Sequence, residues 1–319
     1  MKAIKILTDI SIIITWPLIS FGALVRLHGA GLACPDWPLC YGQLIPPPGF
    51  EIAMEVGHRL VATILGIIII LLLVCCYKDK SIPRKFVNYS WVTLGLVIFQ
   101  GVLGGLTVIY GLHPLTVILH LLFGNGLLFF LVWMRHKIVA AKTNREQFFY
   151  KPKKRAEFDN KVLIALCSIF VVILISGGLN SSTYSGYSCR AFPLCLPGES
   201  LSFYVDVQTA ERDSSDFPGM LEGEDGYDTN EYIHMIHRVI AIFGGLAMMY
   251  LCFIFLNKRL SLVDKKLALA IISLISLEFV IGIVNALYLV PIPISSAHTA
   301  IAATIVMILA LLFSRNYQR

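Results

Sequence analysis

Four of the eight histidines recur in register, and their residue type and spacing suit metal ligation inside a helical bundle. His58 and His237 lie in the matching stretches "EVGHRLVATILG" and "HMIHRVIAIFGG", and His120 and His298 correspond further along each half. An ionisable side chain in an apolar helix is costly and therefore tends to mark function. Two repeat-related pairs therefore indicate a shared chemical role.

The residue four positions after each histidine is small and falls one turn on, on the same helix face. These residues are Ala62, Gly124, Ala241 and Ala302. Small residues also mediate helix packing in membranes, so this feature alone is weak. Two such faces opposite each other would leave room for a planar macrocycle between imidazoles, as in bis-histidine haem ligation. Structural zinc usually takes four protein ligands, and each half offers two at these positions.

The elements that must position these histidines are membrane helices. The mean hydropathy is +0.75 and 14% of the residues are charged, which predicts an all-α integral membrane protein. Eight apolar runs are long enough to cross a bilayer. They lie near 8–27, 54–77, 87–110, 115–134, 162–180, 232–256, 267–290 and 296–314. No cleavable signal peptide precedes the first run, which favours a bacterial protein inserted through its own first helix.

The basic residues predict the orientation in the membrane. In this eight-helix arrangement 21 of the 26 Lys and Arg residues fall on one side, which predicts a cytoplasmic location for that side and for both termini. The net charge of +6 is therefore a topology signal and gives no indication of nucleic-acid binding. The segment 142–155 is predicted to be a solvated linker.

The outer loops carry the clearest internal repeat. "GLACPDWPLCYG" and "GYSCRAFPLCLPG" share a Cys-x5-Cys spacing at an offset of 155 residues, which also pairs Gly22 with Gly177. A later offset of 178 pairs Gln100 with Glu278. These matches predict two pseudo-symmetric four-helix bundles in a parallel tandem repeat, with domains at 1–152 and 153–319. Gln100 and Glu278 are expected to form hydrogen bonds in the bundle interiors.

One position breaks the repeat. Glu55 lies three residues before His58, whereas His234 occupies the equivalent place before His237. A carboxylate there would take protons or stabilise developing positive charge, or it is simply an interfacial residue favoured by the helix dipole. Arg59 and Arg238 follow the two histidines and suit either haem propionates or lipid headgroups.

In combination these motifs resemble the haem A synthase family over nearly the whole chain. The resemblance rests on both Cys-x5-Cys loops, on E-x-x-H-R from Glu55 to Arg59, on H-R at His237 and on the histidines at 120 and 298. It implies an oxidoreductase that converts the C8 methyl of haem O, through an alcohol, to the formyl group of haem A for a terminal oxidase.

The resemblance also implies a role for each half. His58 and His120 would hold the substrate haem O beside the catalytic Glu55, and His237 and His298 would hold a haem b cofactor. The expected location is the bacterial cytoplasmic membrane. Haem O synthase and the terminal oxidase assembly are candidate partners, and a homo-oligomer is compatible with the sequence.

Several alternatives stay open at this point. The outer location permits disulfides Cys34–Cys40 and Cys189–Cys195, which would serve either as structural ties of a loop over each haem or in redox exchange. The long acidic outer loop, about 181–230, is either a solvated excursion or a docking segment. A di-haem cytochrome b that moves electrons explains the histidines and the repeat, but it explains neither Glu55 nor the loop cysteines.

Overall fold

The structure is a computed structural model that describes residues 2–146, 160–189, 191–192, 203–204, 229–256 and 261–316. Across these ranges the chain forms eight helices, each long and apolar enough to cross a membrane. They are α1 (Lys2–Leu27), α2 (Phe50–Lys78), α3 (Arg84–Ile109), α4 (Pro114–Glu146), α5 (Asn160–Ser182), α6 (Thr229–Leu256), α7 (Leu262–Leu287) and α8 (Ile292–Asn316). The predicted all-helical membrane fold with eight spans is confirmed.

Short elements occupy the loops that follow α1 and α5. A single turn of 3₁₀ helix follows each of these helices, at Ala30–Leu32 and at Ser185–Tyr187. Two-residue strands β1 (Ala191–Phe192) and β2 (Phe203–Tyr204) pair in antiparallel fashion beyond the second turn.

Several helices are longer than the apolar runs that predicted them. The placement of the 142–155 linker is wrong at its start, because α4 continues to Glu146; residues 147–159 lie outside the described part of the chain. Glu51, expected before the second helix, lies in the first turn of α2. Charged residues such as Lys, Arg and Glu are good helix formers, so a helix need not end where its apolar stretch ends.

Helix contacts divide the molecule into two sets of four. In the first set α1 packs on α2 and α4, and α3 packs between α2 and α4; α5, α6, α7 and α8 repeat this pattern in the second set. Contacts of α4 with α8 and α5, and of α1 with α8, join the two sets. The α4–α8 contact buries Leu128, Val132, Ala303 and Ala310, where the small residues allow close approach.

The histidines all lie toward one end of the molecule. We call this the cysteine-loop end, because α1 and α5 finish there and the loops with Cys34 and Cys189 follow them. His58 and His237 lie about two turns into α2 and α6, and His120 and His298 lie less than two turns into α4 and α8. The helix directions thus bring all four histidines to one depth.

Candidate functional site

The structure brings the histidines together in the predicted pairs. His58 of α2 and His120 of α4 are close enough for an electrostatic interaction between their rings. The same holds for His237 of α6 and His298 of α8. No group of three or more His, Cys, Asp or Glu side chains within the described ranges is arranged to hold a metal ion. Each site therefore offers two imidazoles.

Glycines on neighbouring helices provide the space for these rings. A Cβ atom added to Gly22 of α1 would come within 3.2 Å of Nε2 of His58. At the equivalent place on α5, a Cβ atom on Gly177 would come within 3.2 Å of Cε1 of His237. A Cβ atom on Gly104 would similarly reach 3.4 Å from Cε1 of His120. Larger side chains at these three glycine positions would push the histidine rings away from the helices that carry the glycines.

Both histidines of the second half are held on their Nδ1 side by polar side chains. Ser176 Oγ lies 3.0 Å from Nδ1 of His237 and donates its proton to the Ile173 carbonyl at 2.9 Å. The Glu278 carboxylate is in direct contact with Nδ1 of His298, and its side chain is only 14% exposed. Glu278, expected to form a hydrogen bond in the bundle interior, instead makes an ion-pair contact with a candidate ligand.

The first half has different partners at the same repeat positions. Phe21, the equivalent of Ser176, presents its ring to His58 with 5.8 Å between the ring centroids. Gln100, the equivalent of Glu278, contacts His120. In the amide orientation that satisfies its neighbours, Gln100 donates to Nδ1 and to the carbonyl of His120, both at 3.1 Å. Its oxygen then accepts from the Gly124 N–H at 3.0 Å.

Glu55 is buried beside the first histidine pair, with its side chain 6% exposed. The carboxylate accepts a hydrogen bond from the Cys34 N–H at 2.8 Å and forms an ion pair with Arg59, one turn along α2. Arg59 also donates to the carbonyls of Asp36 at 2.9 Å and Leu39 at 2.6 Å. The carboxylate and the guanidinium are therefore tied to the loop that follows α1.

That loop is closed by the Cys34–Cys40 disulfide, which agrees with the predicted pairing. The half-buried Asp36 side chain accepts hydrogen bonds from the backbone N–H groups of Gly42 and Tyr41, which hold the pKa of its carboxyl below the ordinary value. Trp37 packs so tightly on α3 that a Cβ atom on Gly105 would lie 2.9 Å from the indole. The loop spans from α2 to α3, over the end of the first bundle.

The second half repeats part of this arrangement. Arg238 is buried, donates to the Cys189 carbonyl at 3.4 Å and lies 5.9 Å from the centre of the Phe192 ring. His234, the counterpart of Glu55, is buried as well. Cys189 is disulfide-bonded, but Cys195 lies outside the described residues, and the Cys189–Cys195 pairing stays a prediction. Most of the acidic loop at about 181–230 lies outside them too.

The residues present fit a haem at each histidine pair. Two histidine side chains can hold a haem iron, and the glycines leave room for the edges of the His58, His120 and His237 rings against the neighbouring helices. In the second half the Nδ1 contacts leave Nε2 of His237 and His298 as the nitrogens that would bind iron. Arg59 is already engaged by the loop, so a propionate would share it with those carbonyls; this role of Arg59 and Arg238 stays a prediction.

Fold and site together define a class: a multi-pass membrane protein with two half-buried histidine pairs suited to haem. The comparisons identify the family. The chain belongs to the COX15-CtaA family, described as cytochrome oxidase assembly protein, whose profile matches residues 5–310. A Shewanella oneidensis protein named heme A synthase is 30% identical over 95% of this chain and 93% of its own length. One of the same name from Alkalihalophilus pseudofirmus is 31% identical over 61% of this chain and 64% of its own length.

Sequence reasoning missed two features of the site. The role of Ser176 was overlooked, although it stands directly before the repeat glycine Gly177 and replaces Phe21 of the first half. The attachment of Arg59 to loop carbonyls was also missed, because loop backbone direction cannot be deduced from residue spacing. The substitution of serine for phenylalanine at a repeat position was a signal that a residue-by-residue comparison of the halves could have found.

Proposed function

We propose that the chain is a haem A synthase, which oxidises the C8 methyl group of haem O to the formyl group of haem A. Family membership and the similarity to proteins named heme A synthase support this activity. The observation that carries it is the buried carboxylate of Glu55. It lies one turn from His58 and is held by Cys34 and Arg59 beneath the disulfide loop. A protein that only transfers electrons has no evident need for this group.

In this proposal the two halves have different tasks. His58 and His120 bind the substrate haem O, and His237 and His298 bind haem b. When bound, haem b supplies one-electron redox chemistry. Glu55 takes a proton from the reacting group or from water and stabilises positive charge that develops there, which is strongest in a water-poor pocket. Cys34 N–H and Arg59 keep the carboxylate in position, and the loop from α2 to α3 limits the entry of water.

The proposal includes the parallel repeat, with domains at 1–152 and 153–319. Two hydrogen bonds between equivalent positions support it. Arg26 donates to the Ser181 carbonyl at 2.6 Å, across the 155-residue offset, and Nδ1 of His136 lies 2.9 Å from Oγ of Ser314, across the 178-residue offset. Equivalent residues touch each other only close to the axis that relates them. The two contacts lie at opposite ends of the molecule, as an axis along the membrane normal requires.

The protein is expected in the bacterial cytoplasmic membrane with both termini in the cytoplasm, because the basic residues concentrate on that side. The cysteine loops and both histidine pairs then lie toward the outer face. Haem O synthase would supply the substrate, and a terminal oxidase under assembly would receive the product.

Pigment analysis tests the activity. The chain is expressed in a bacterial host that makes haem O but lacks its own haem A synthase, and the extracted haems are separated by chromatography. We expect haem A to appear with the chain and to be absent with empty vector. A purified protein that carries haem b while the host accumulates haem O alone would instead identify a di-haem cytochrome b.

A further inference from the structure

The two histidine sites also differ at the side chains that contact the candidate ligands. Repeat position 21/176 holds Phe21 in the first half and Ser176 in the second. Repeat position 100/278 holds Gln100 and Glu278. All four side chains contact the histidine of their own half. Equivalent positions therefore contact the histidines with different groups: an aromatic ring or a hydroxyl group at one position, and an amide or a carboxylate at the other.

The second-half contacts occupy the Nδ1 side of both rings. The Ser176 hydroxyl lies within hydrogen-bond distance of the Ile173 carbonyl and of Nδ1 of His237, so it can donate to the carbonyl and accept from Nδ1–H. The Glu278 carboxylate contacts Nδ1 of His298, and such a contact favours a proton on that nitrogen. Nε2 of each ring is then the nitrogen available for iron.

The first-half contacts differ at both histidines. The Gln100 amide is oriented by the His120 carbonyl and the Gly124 N–H and lies 3.1 Å from Nδ1 of His120. The His120 ring also bonds the Gln100 backbone carbonyl. A neutral amide therefore stands where Glu278 places a carboxylate. His58 bonds the Leu18 backbone carbonyl, and Phe21 presents an aromatic ring where Ser176 presents a hydroxyl group.

We infer that Ser176 and Glu278 are positioning residues that commit the second half to permanent haem binding, whereas Phe21 and Gln100 keep the first-half site exchangeable. This inference rests on the proposed function, because a synthase must keep its cofactor and release its product. A carboxylate behind an axial histidine also makes the imidazole a more basic ligand. With haem b bound, Glu278 would favour ferric iron in the second half and lower the reduction potential of that haem.

The test uses the full-length protein purified with haem b bound, and apomyoglobin as the acceptor of released haem. We expect Glu278→Gln and Ser176→Ala to lose haem b on the order of tenfold to a hundredfold faster than the unaltered protein. Glu278→Gln should also shift the midpoint potential of haem b to a more positive value. Ser276→Ala is the matched control, because this exposed serine on α7 donates to the Ile272 carbonyl of its own helix and, within the described part of the chain, contacts neither histidine pair.

The reciprocal variant is Gln100→Glu, which gives the first half the second-half partner. Gln100→Glu should slow the loss of haem O on the order of tenfold. If Glu278→Gln does not fold, this variant still tests whether a carboxylate beside the histidine slows haem loss. Unchanged haem b loss in Ser176→Ala and Glu278→Gln, or unchanged haem O loss in Gln100→Glu, overturns the inference. Haem A formation by the unaltered protein is measured in parallel, and its absence would overturn the proposed function instead.

Discussion

Glu55 and Arg59 form an ion pair one helical turn apart on α2, and both also bond the backbone of the Cys34–Cys40 loop. The carboxylate accepts from an N–H at the start of the loop, and the guanidinium donates to carbonyls in its middle. The order of the loop and the position of the carboxylate are therefore coupled. These bonds give Arg59, which directly follows His58, a structural role that needs no contact with haem or lipid.

Replacement of Arg59 tests that coupling. Arg59→Met removes the donor to the loop carbonyls and leaves the buried carboxylate without its charged partner. Hydrogen bonds to charged groups contribute about 1.5–3 kcal/mol each, so we expect haem A formation to fall at least roughly tenfold. The Cys34–Cys40 disulfide should also react faster with reductant.

The control is Arg84→Met, at an exposed arginine in the first turn of α3, far from the cysteine loops. It should leave both measurements unchanged. If Arg59→Met instead only weakens the binding of haem O and leaves the disulfide as resistant as before, Arg59 contacts the propionates and does not hold the loop.

The glycine cradles give a second prediction. Gly177→Ala places a methyl group 3.2 Å from the His237 ring, and overpacking of this kind costs about 1–3 kcal/mol. We expect haem b to bind roughly tenfold to a hundredfold more weakly, as measured by haem titration of the purified protein. Gly95→Ala is the matched control, because a Cβ at that position of α3 would meet nothing within 4 Å among the described residues, apart from the backbone of its own helix. Equal affinities in both variants would mean that the His237 ring does not need the space.

The cysteines allow a count. Cys75, Cys76, Cys167 and Cys252 are free, and Cys34 and Cys40 are joined. If Cys189 pairs with Cys195, a maleimide mass tag applied to the denatured, unreduced protein should add to four of the eight cysteines. After reduction it should add to all eight. Six tags before reduction would leave Cys195 without the predicted partner.

The sequence was sufficient to predict the helices and the depth of the histidines, but not the loop contacts. Apolar runs predicted eight spans because a bilayer demands long uninterrupted helices, and the repeat predicted which histidines belong together. The predicted start of α2 and the predicted end of α4 were wrong. Both helices extend beyond their apolar stretches through charged residues such as Glu51.

The polar partners were harder to deduce. Glu278 and Gln100 were expected to bond within the bundle, yet their proximity to His298 and His120 depends on how α7 and α3 rotate against α8 and α4. Hydropathy does not fix this rotation, since both helices are apolar on most faces. Arg59 posed the same problem, because its partners are backbone carbonyls that carry no sequence signal.

The central claim is that Glu55 takes part directly in the oxidation, and Glu55→Gln tests it most directly. The glutamine keeps the size of the side chain and removes its charge, so the variant should still bind haem O through His58 and His120. We expect conversion of haem O to haem A to fall on the order of a hundredfold or more. The exposed Glu51 lies one turn earlier on α2, and Glu51→Gln should behave as the unaltered protein. Extracted pigments from cells with Glu55→Gln should contain haem O and almost no haem A; formation of haem A at a near wild-type rate would contradict the catalytic role of Glu55.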